Sequence, residues 1–133
     1  MHLVLLLRHL EDTLSIDKRR MYLTGLSMGG YGSWTLATNM PGKFAAVAPV
    51  CGKGNPDEAE KLIDVPIWTW HGTEDGAVPI KHSKQMVEAI RKEGGKKIRF
   101  TKLEGIGHNS WSAAYATPEL YSWFSKQELP KKK

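Results

Sequence analysis

Leu3, Leu6, Leu7, Leu10 and Leu14 recur three and four positions apart, with Arg8, Glu11 and Asp12 between them. That period puts the leucines on one stripe, so the first fifteen residues are expected to form an amphipathic helix. The polar stretch Ser15 to Arg20 ends the pattern. Met21 to Leu26 has strand length and composition, and after Ser27 it gives way to a glycine-rich helix, Gly29 to Asn39, closed by Pro41. Phe44 to Val50 is apolar throughout, as in a strand covered on both faces. Asn55 followed by Pro56 makes a cap and first turn for a short helix to Ile63. Pro66 to His71, rich in Trp and Ile, is the next strand, and the turn Gly72 to Pro79 follows it. Met86, Val87 and Ile90 mark one face of a helix from Ser83 to Glu93, stopped by Gly94 and Gly95. Ile98, Phe100 and Leu103 alternate with polar residues as a last strand, and Thr117 with Pro118 starts a final helix, Glu119 to Lys126.

Four strands separated by helices, joined by short connections, predict an α/β fold with a parallel sheet and right-handed crossovers. In such sheets functional groups gather beyond the carboxyl ends of the strands. The loops after Leu26, Val50, His71 and Leu103 are therefore where chemistry is sought.

The chain has 133 residues, 41% hydrophobic and 25% charged, which suits one compact domain spanning residues 1–133 and excludes intrinsic disorder. The net charge of +5 is concentrated in Lys18 to Arg20, Lys96 to Lys97 and Lys131 to Lys133. These runs are not interleaved with stacking aromatics, so no nucleic-acid partner is expected. Met1 to Leu7 lacks the basic start and cleavage site of a signal peptide, and no stretch has membrane-spanning length. A soluble, cytoplasmic product with no membrane partner is expected. The single cysteine, Cys51, allows no intrachain disulfide, and its place at the end of an apolar run suits an inert buried thiol.

The first of the four loops reads Gly25-Leu26-Ser27-Met28-Gly29, a Gly-x-Ser-x-Gly sequence between a strand and a helix. A serine there must turn sharply, and glycines two positions to either side leave room for the turn. The Met28 amide, at the helix start, can donate to an oxyanion. The third loop carries two carboxylates, Glu74 and Asp75, and the fourth carries His108 between Gly107 and Asn109. A nucleophilic serine needs a neutral imidazole to take its proton and a carboxylate to fix that imidazole's tautomer. Serine, acid and histidine occur here in that order, each after an expected strand, which is the order of the α/β-hydrolases.

With these residues the chain resembles the C-terminal part of an α/β-hydrolase of the esterase and predicted-peptidase group, related to prolyl oligopeptidase and dienelactone hydrolase. The matching stretches are Ile16 to Trp34, His71-Gly72 through Val78-Pro79, and Gly107-His108-Asn109-Ser110-Trp111. The resemblance aligns Asp75 with the acid position and leaves Glu74 to solvent. It implies a truncated α/β-hydrolase fold of about four parallel strands flanked by helices, hydrolysis of small carboxylic esters, and no cofactor. Ser27, Asp75 and His108 are then the expected catalytic residues and Met28 the expected oxyanion donor. Trp111, three residues past His108, is expected to line a substrate pocket or to pack on the last helix.

A complete member of that group has further strands before the serine strand and a loop giving a second oxyanion amide. This chain begins at the helix before the serine strand, which leaves Met21 to Leu26 as an exposed edge. A homodimer covering that edge is expected. The main alternatives to an esterase are a serine peptidase and a non-catalytic remnant serving as an interaction module. His2, His9 and His82 lack metal-ligand spacing and are expected at the surface, so no metal site is proposed. His71 is expected to be a structural hydrogen-bonder, Trp68 and Trp70 to be core or interface, and Tyr31 and Trp34 to pack.

Overall fold

The structure is a computed structural model that describes residues 2–131. Met1 and the last two lysines of the Lys131 to Lys133 run lie outside the described residues. Helix α1 (His2–Thr13) leads into strand β1 (Tyr22–Leu26) and helix α2 (Met28–Asn39), followed by β2 (Ala46–Val50). A 3-10 turn at Pro56–Leu62 comes next, then β3 (Ile67–Gly72), α3 (Lys81–Lys92) and β4 (Ile98–Leu103). Two helices close the chain, α4 (Trp111–Tyr115) and α5 (Pro118–Ser125).

The four strands form one parallel sheet in the order β1-β2-β3-β4, so each neighbour in sequence is a neighbour in space. With right-handed crossovers throughout, that order puts every connecting segment on the same face. The core agrees. Trp34 and Leu36 of α2, Leu62 of the 3-10 turn, and Met86 and Ile90 of α3 pack in one cluster with Val47, Ile67 and Ile98 of the sheet. The opposite face carries Ala46, Ala48, Val50, Trp68 and Trp70 and is covered by Ala114, Leu120 and Phe124 of the last two helices. β2 and β3 are buried along their whole length. This is the two-sided cover that continuous apolar strands require.

Local signals were legible where side chains determine the backbone. Asn55 accepts from the Asp57 amide and caps the turn that Pro56 begins, and α3 stops where Gly94 takes a φ of +97°. Two expectations are corrected. The leucine stripe of α1 does not dock as a whole: Val4 and Leu7 pack against the core, whereas Leu3, Leu6 and Leu14 are exposed and no residue of the helix is fully buried. Tyr31 stands at the surface, while Trp34, one turn later on α2, is fully buried. α4 was not foreseen; its five residues are too few for a periodic signal. No helix among the described residues is long and apolar enough to cross a membrane.

Candidate active site

Ser27 occupies the turn between β1 and α2 with φ 51° and ψ −114°. This is a conformation that non-glycine residues reach only at a cost of roughly 1–3 kcal/mol. Its amide donates to the Val50 carbonyl at 3.0 Å, which ties the turn to the end of β2. The sharp reversal requires close backbone packing. A Cβ on Gly25 would lie 2.3 Å from the Gly29 carbonyl oxygen, and one on Gly30 would lie 2.6 Å from the Val50 oxygen. Gly29, by contrast, has open space where its side chain would be, so only one of the two motif glycines is required by contact. Met28 is the first residue of α2, and the amides of a first turn have no partner within the helix. Its side chain is exposed.

The loops after β3 and β4 lie against each other. A Cβ on Gly72 would come within 2.2 Å of the Ile106 oxygen and 2.4 Å of the Gly107 oxygen, so this glycine permits the contact. The Thr73 amide donates to the Leu103 carbonyl, and the Glu74 amide donates to that of Ile106. The Gly105 amide donates to the Thr73 hydroxyl at 2.9 Å. These bonds bring the Asp75 carboxylate to the His108 ring.

Asp75 divides its two oxygens. Oδ1 accepts from the amides of Ala77 at 2.9 Å and Val78 at 2.8 Å, which fixes the loop. Oδ2 accepts from His108 Nδ1 at 2.9 Å. With Nδ1 donating to the carboxylate, Nε2 is free to accept, and Ser27 Oγ donates to it at 3.0 Å. Burial pushes the Asp75 carboxyl upward, but the bonds from His108, Val78 and Ala77 outweigh it and hold the group below the usual aspartate range. The acid stays ionised. Glu74, the other carboxylate of the loop, is exposed, as the resemblance implied.

His71 sits fully buried beneath this pair. Its Nε2–H donates to the Val78 carbonyl at 2.7 Å and its Nδ1 accepts from the Ser83 hydroxyl at 2.6 Å. Burial lowers its pKa, so the ring is neutral and acts as a strut under the acid loop. Trp111 meets the His108 ring edge-on, with centroids 5.4 Å apart, and is half-buried. Cys51 is buried, as expected, but it does not lie in inert surroundings: its sulfur, an Asp75 oxygen and a His108 nitrogen all fall within 4.8 Å of one another. Sequence reasoning missed this neighbour, although it follows β2 directly and so stands at a strand's carboxyl end. Two cavities, about 820 Å³ and about 250 Å³, lie elsewhere, the larger beside Lys18, Arg19 and Leu129. Neither is lined by Ser27, Asp75 or His108.

A parallel sheet flanked by helices, with serine, aspartate and histidine on loops after its first, third and fourth strands, is the architecture of an α/β-hydrolase. A thermostable esterase structure superposes with a TM-score of 0.92 at 37% identity, over 96% of this chain and 36% of that one. Within the superfamily, residues 5–117 match the phospholipase/carboxylesterase family, and the chain belongs to it. It is 29% identical to a poly(3-hydroxyoctanoate) depolymerase of Pseudomonas fluorescens, over 83% of this chain and 41% of that protein. It is 30% identical to feruloyl esterase D of Neurospora crassa, over 83% of this chain and 38% of the relative. The chain thus spans about two fifths of the length of these relatives.

Proposed function

We propose that this chain is a serine carboxylesterase that hydrolyses small carboxylic esters through an acyl-enzyme. The observation that carries the reading is the continuous hydrogen-bonded chain from Ser27 Oγ through His108 to Asp75. Ser27 Oγ attacks the ester carbonyl as His108 Nε2 takes its proton, and the imidazolium that forms is stabilised by Asp75 Oδ2. The Met28 amide donates to the oxyanion. His108 then protonates the departing alkoxide, and a water activated by the same imidazole releases the acid and restores Ser27. No step calls for a cofactor. The family match and the esterase relatives support the same class of substrate.

The test is hydrolysis of short and medium p-nitrophenyl esters by the wild type and by Ser27→Ala, purified identically. Loss of the nucleophile is expected to lower kcat on the order of a million-fold. Equal rates in the two proteins would overturn the reading.

We also infer that the outer edge of β1 is covered by a second copy of the chain. Among the described residues β1 has a strand neighbour on one side only, Thr24 and Leu26 on it are exposed, and α1 presents Leu3, Leu5 and Leu6 to solvent. Two-fold pairing of these edges is self-complementary and would add a wall to an open site. Light scattering at micromolar concentration is expected to give twice the chain mass. A fully active monomer would refute it.

A further inference from the structure

Cys51 ends β2 with a φ of 42°, a left-handed turn that is rare for a residue with a side chain. Its thiol is fully buried, and burial raises its pKa, so it is no competitor for the role of Ser27. Its surroundings are nonetheless rich in donors. Sulfur, carboxylate oxygen and imidazole nitrogen from Cys51, Asp75 and His108 converge within 4.8 Å. Ser110, also fully buried, turns its hydroxyl toward the Cys51 sulfur, and that oxygen has no hydrogen-bond partner among the described residues. A buried hydroxyl with no hydrogen-bond partner, facing the sulfur of this three-donor cluster, marks a place with unused coordinating capacity.

We propose that Cys51, Asp75 and His108 form an inhibitory site for a thiophilic divalent cation, with zinc as its representative. Zinc takes thiolate, imidazole and carboxylate at roughly 2.0–2.3 Å, which sets such donors roughly 3.3–3.6 Å apart in a tetrahedron. The Nδ1 to Oδ2 separation, 2.9 Å, has to open slightly, and the sulfur, within 4.8 Å of an Asp75 oxygen and a His108 nitrogen, has to close by up to about 1.5 Å. Asp75 Oδ1, anchored on two amides, keeps the carboxylate in place while Oδ2 turns to the ion. The His108 side chain is 31% exposed, whereas that of Asp75 is fully buried, so the ion enters past the imidazole. The Ser110 hydroxyl or a water completes the set. Magnesium and calcium, which want oxygen ligands, are excluded by the sulfur.

Binding rearranges protons without any redox change. The Cys51 thiol releases its proton to solvent as the sulfur–metal bond forms. The ion takes the Nδ1 lone pair, so the proton on that nitrogen is replaced by one on Nε2, with no net change on the ring. Nε2 then carries hydrogen toward Ser27 and can no longer accept from it. The site loses its base through side-chain adjustments of about an ångström, with the fold unchanged. Inhibition therefore rests on the role proposed for His108, whereas metal binding does not.

Because the chain has one cysteine, a thiolate-to-cobalt charge-transfer band can arise only from Cys51. Cobalt(II) added to the wild type is expected to give that band, and Cys51→Ser to abolish it. Calorimetry with zinc is expected to show affinity rising with pH, as the thiol proton is displaced, and falling by about a hundredfold or more in Cys51→Ser. Zinc should suppress ester hydrolysis, EDTA should restore it, and magnesium should do neither. Ser27→Ala is expected to keep the cobalt band, which separates failure of this site from failure of the serine mechanism. A wild type without the band, zinc bound equally by Cys51→Ser, or full hydrolysis by the zinc-loaded protein would each overturn the proposal.

Discussion

Replacing the two glycines of the serine turn one at a time gives opposite outcomes, although the sequence motif presents them as equivalent. In Gly25→Ala the new methyl would stand 2.3 Å from the Gly29 oxygen and 2.5 Å from its carbonyl carbon, both backbone atoms, and real Cβ atoms do not come within 3.0 Å. β1 and the start of α2 must separate by about 0.7 Å or more, a kind of overpacking that costs about 1–3 kcal/mol. At about 4 °C per kcal/mol for a chain of this size, Tm falls by several degrees. Ser27 lies two residues away in the same turn, and a displacement of about 1 Å in a reacting group can cost on the order of a hundredfold in rate. Gly29→Ala meets nothing within 4 Å. It is expected to keep kcat/KM within about twofold and to leave Tm unchanged or raised, since alanine favours a helix over glycine by up to about 1 kcal/mol. Thermal unfolding and p-nitrophenyl ester hydrolysis measured on both variants decide the matter. A Gly29→Ala protein as damaged as Gly25→Ala, or a Gly25→Ala protein with wild-type rate and Tm, would refute the packing account.

Asp75→Asn keeps an oxygen for the Ala77 and Val78 amides but cannot accept from His108 Nδ1–H, so kcat is expected to fall on the order of ten-thousandfold in ester assays while the fold persists. The Asp75 carboxyl titrates below its unfolded value of about 3.9, so its contribution to stability is present above that pH and lost as pH falls through the folded value. Urea titrations from pH 7 downward should show the advantage of wild type over Asp75→Asn shrinking only below about pH 4. His71 is held neutral by burial, whereas the unfolded chain protonates it below about pH 6.5. Stability should therefore decline as pH drops under that value, and His71→Asn should flatten the slope in the same titrations. Leu62→Ala empties a fully buried position in the core and is expected to cost about 2–5 kcal/mol by equilibrium denaturation.

What the sequence revealed depended on whether a local rule determined the outcome. β2 and β3 were legible because burial on both faces leaves a continuous apolar run, and Asn55-Pro56 and Gly94 were legible because capping is a property of two or three adjacent residues. Ser27 and His108 could be located from their positions after strands, since a parallel sheet gathers those ends together, whereas Asp75 was separated from Glu74 in the same loop by the family resemblance. Cys51 stands at the end of β2 and obeys the same rule, but its apolar run suggested an inert core thiol, and the positive φ that turns it toward Asp75 leaves no periodic trace. The α1 stripe failed for a related reason. Helical spacing shows which residues share a side, but how far that side reaches over the core is set by the sheet beneath it, and only Val4 and Leu7 among its apolar residues pack there.

The bonds between the loops after β3 and β4 join Asp75 and His108 into one unit, braced from below by His71, while Ser27 is attached to the ends of β1 and β2. Asp75 and His108 therefore travel together, and Ser27 travels separately. Flexing of the sheet between β2 and β3 would leave the carboxylate–imidazole contact intact and bear on the bonds that cross the seam, among them the 3.0 Å from Ser27 Oγ to His108 Nε2 and the Cys51 amide to the Trp70 carbonyl. The serine–imidazole contact is thus a strain gauge, through which twisting of the sheet becomes a change in the distance over which the proposed proton transfer runs.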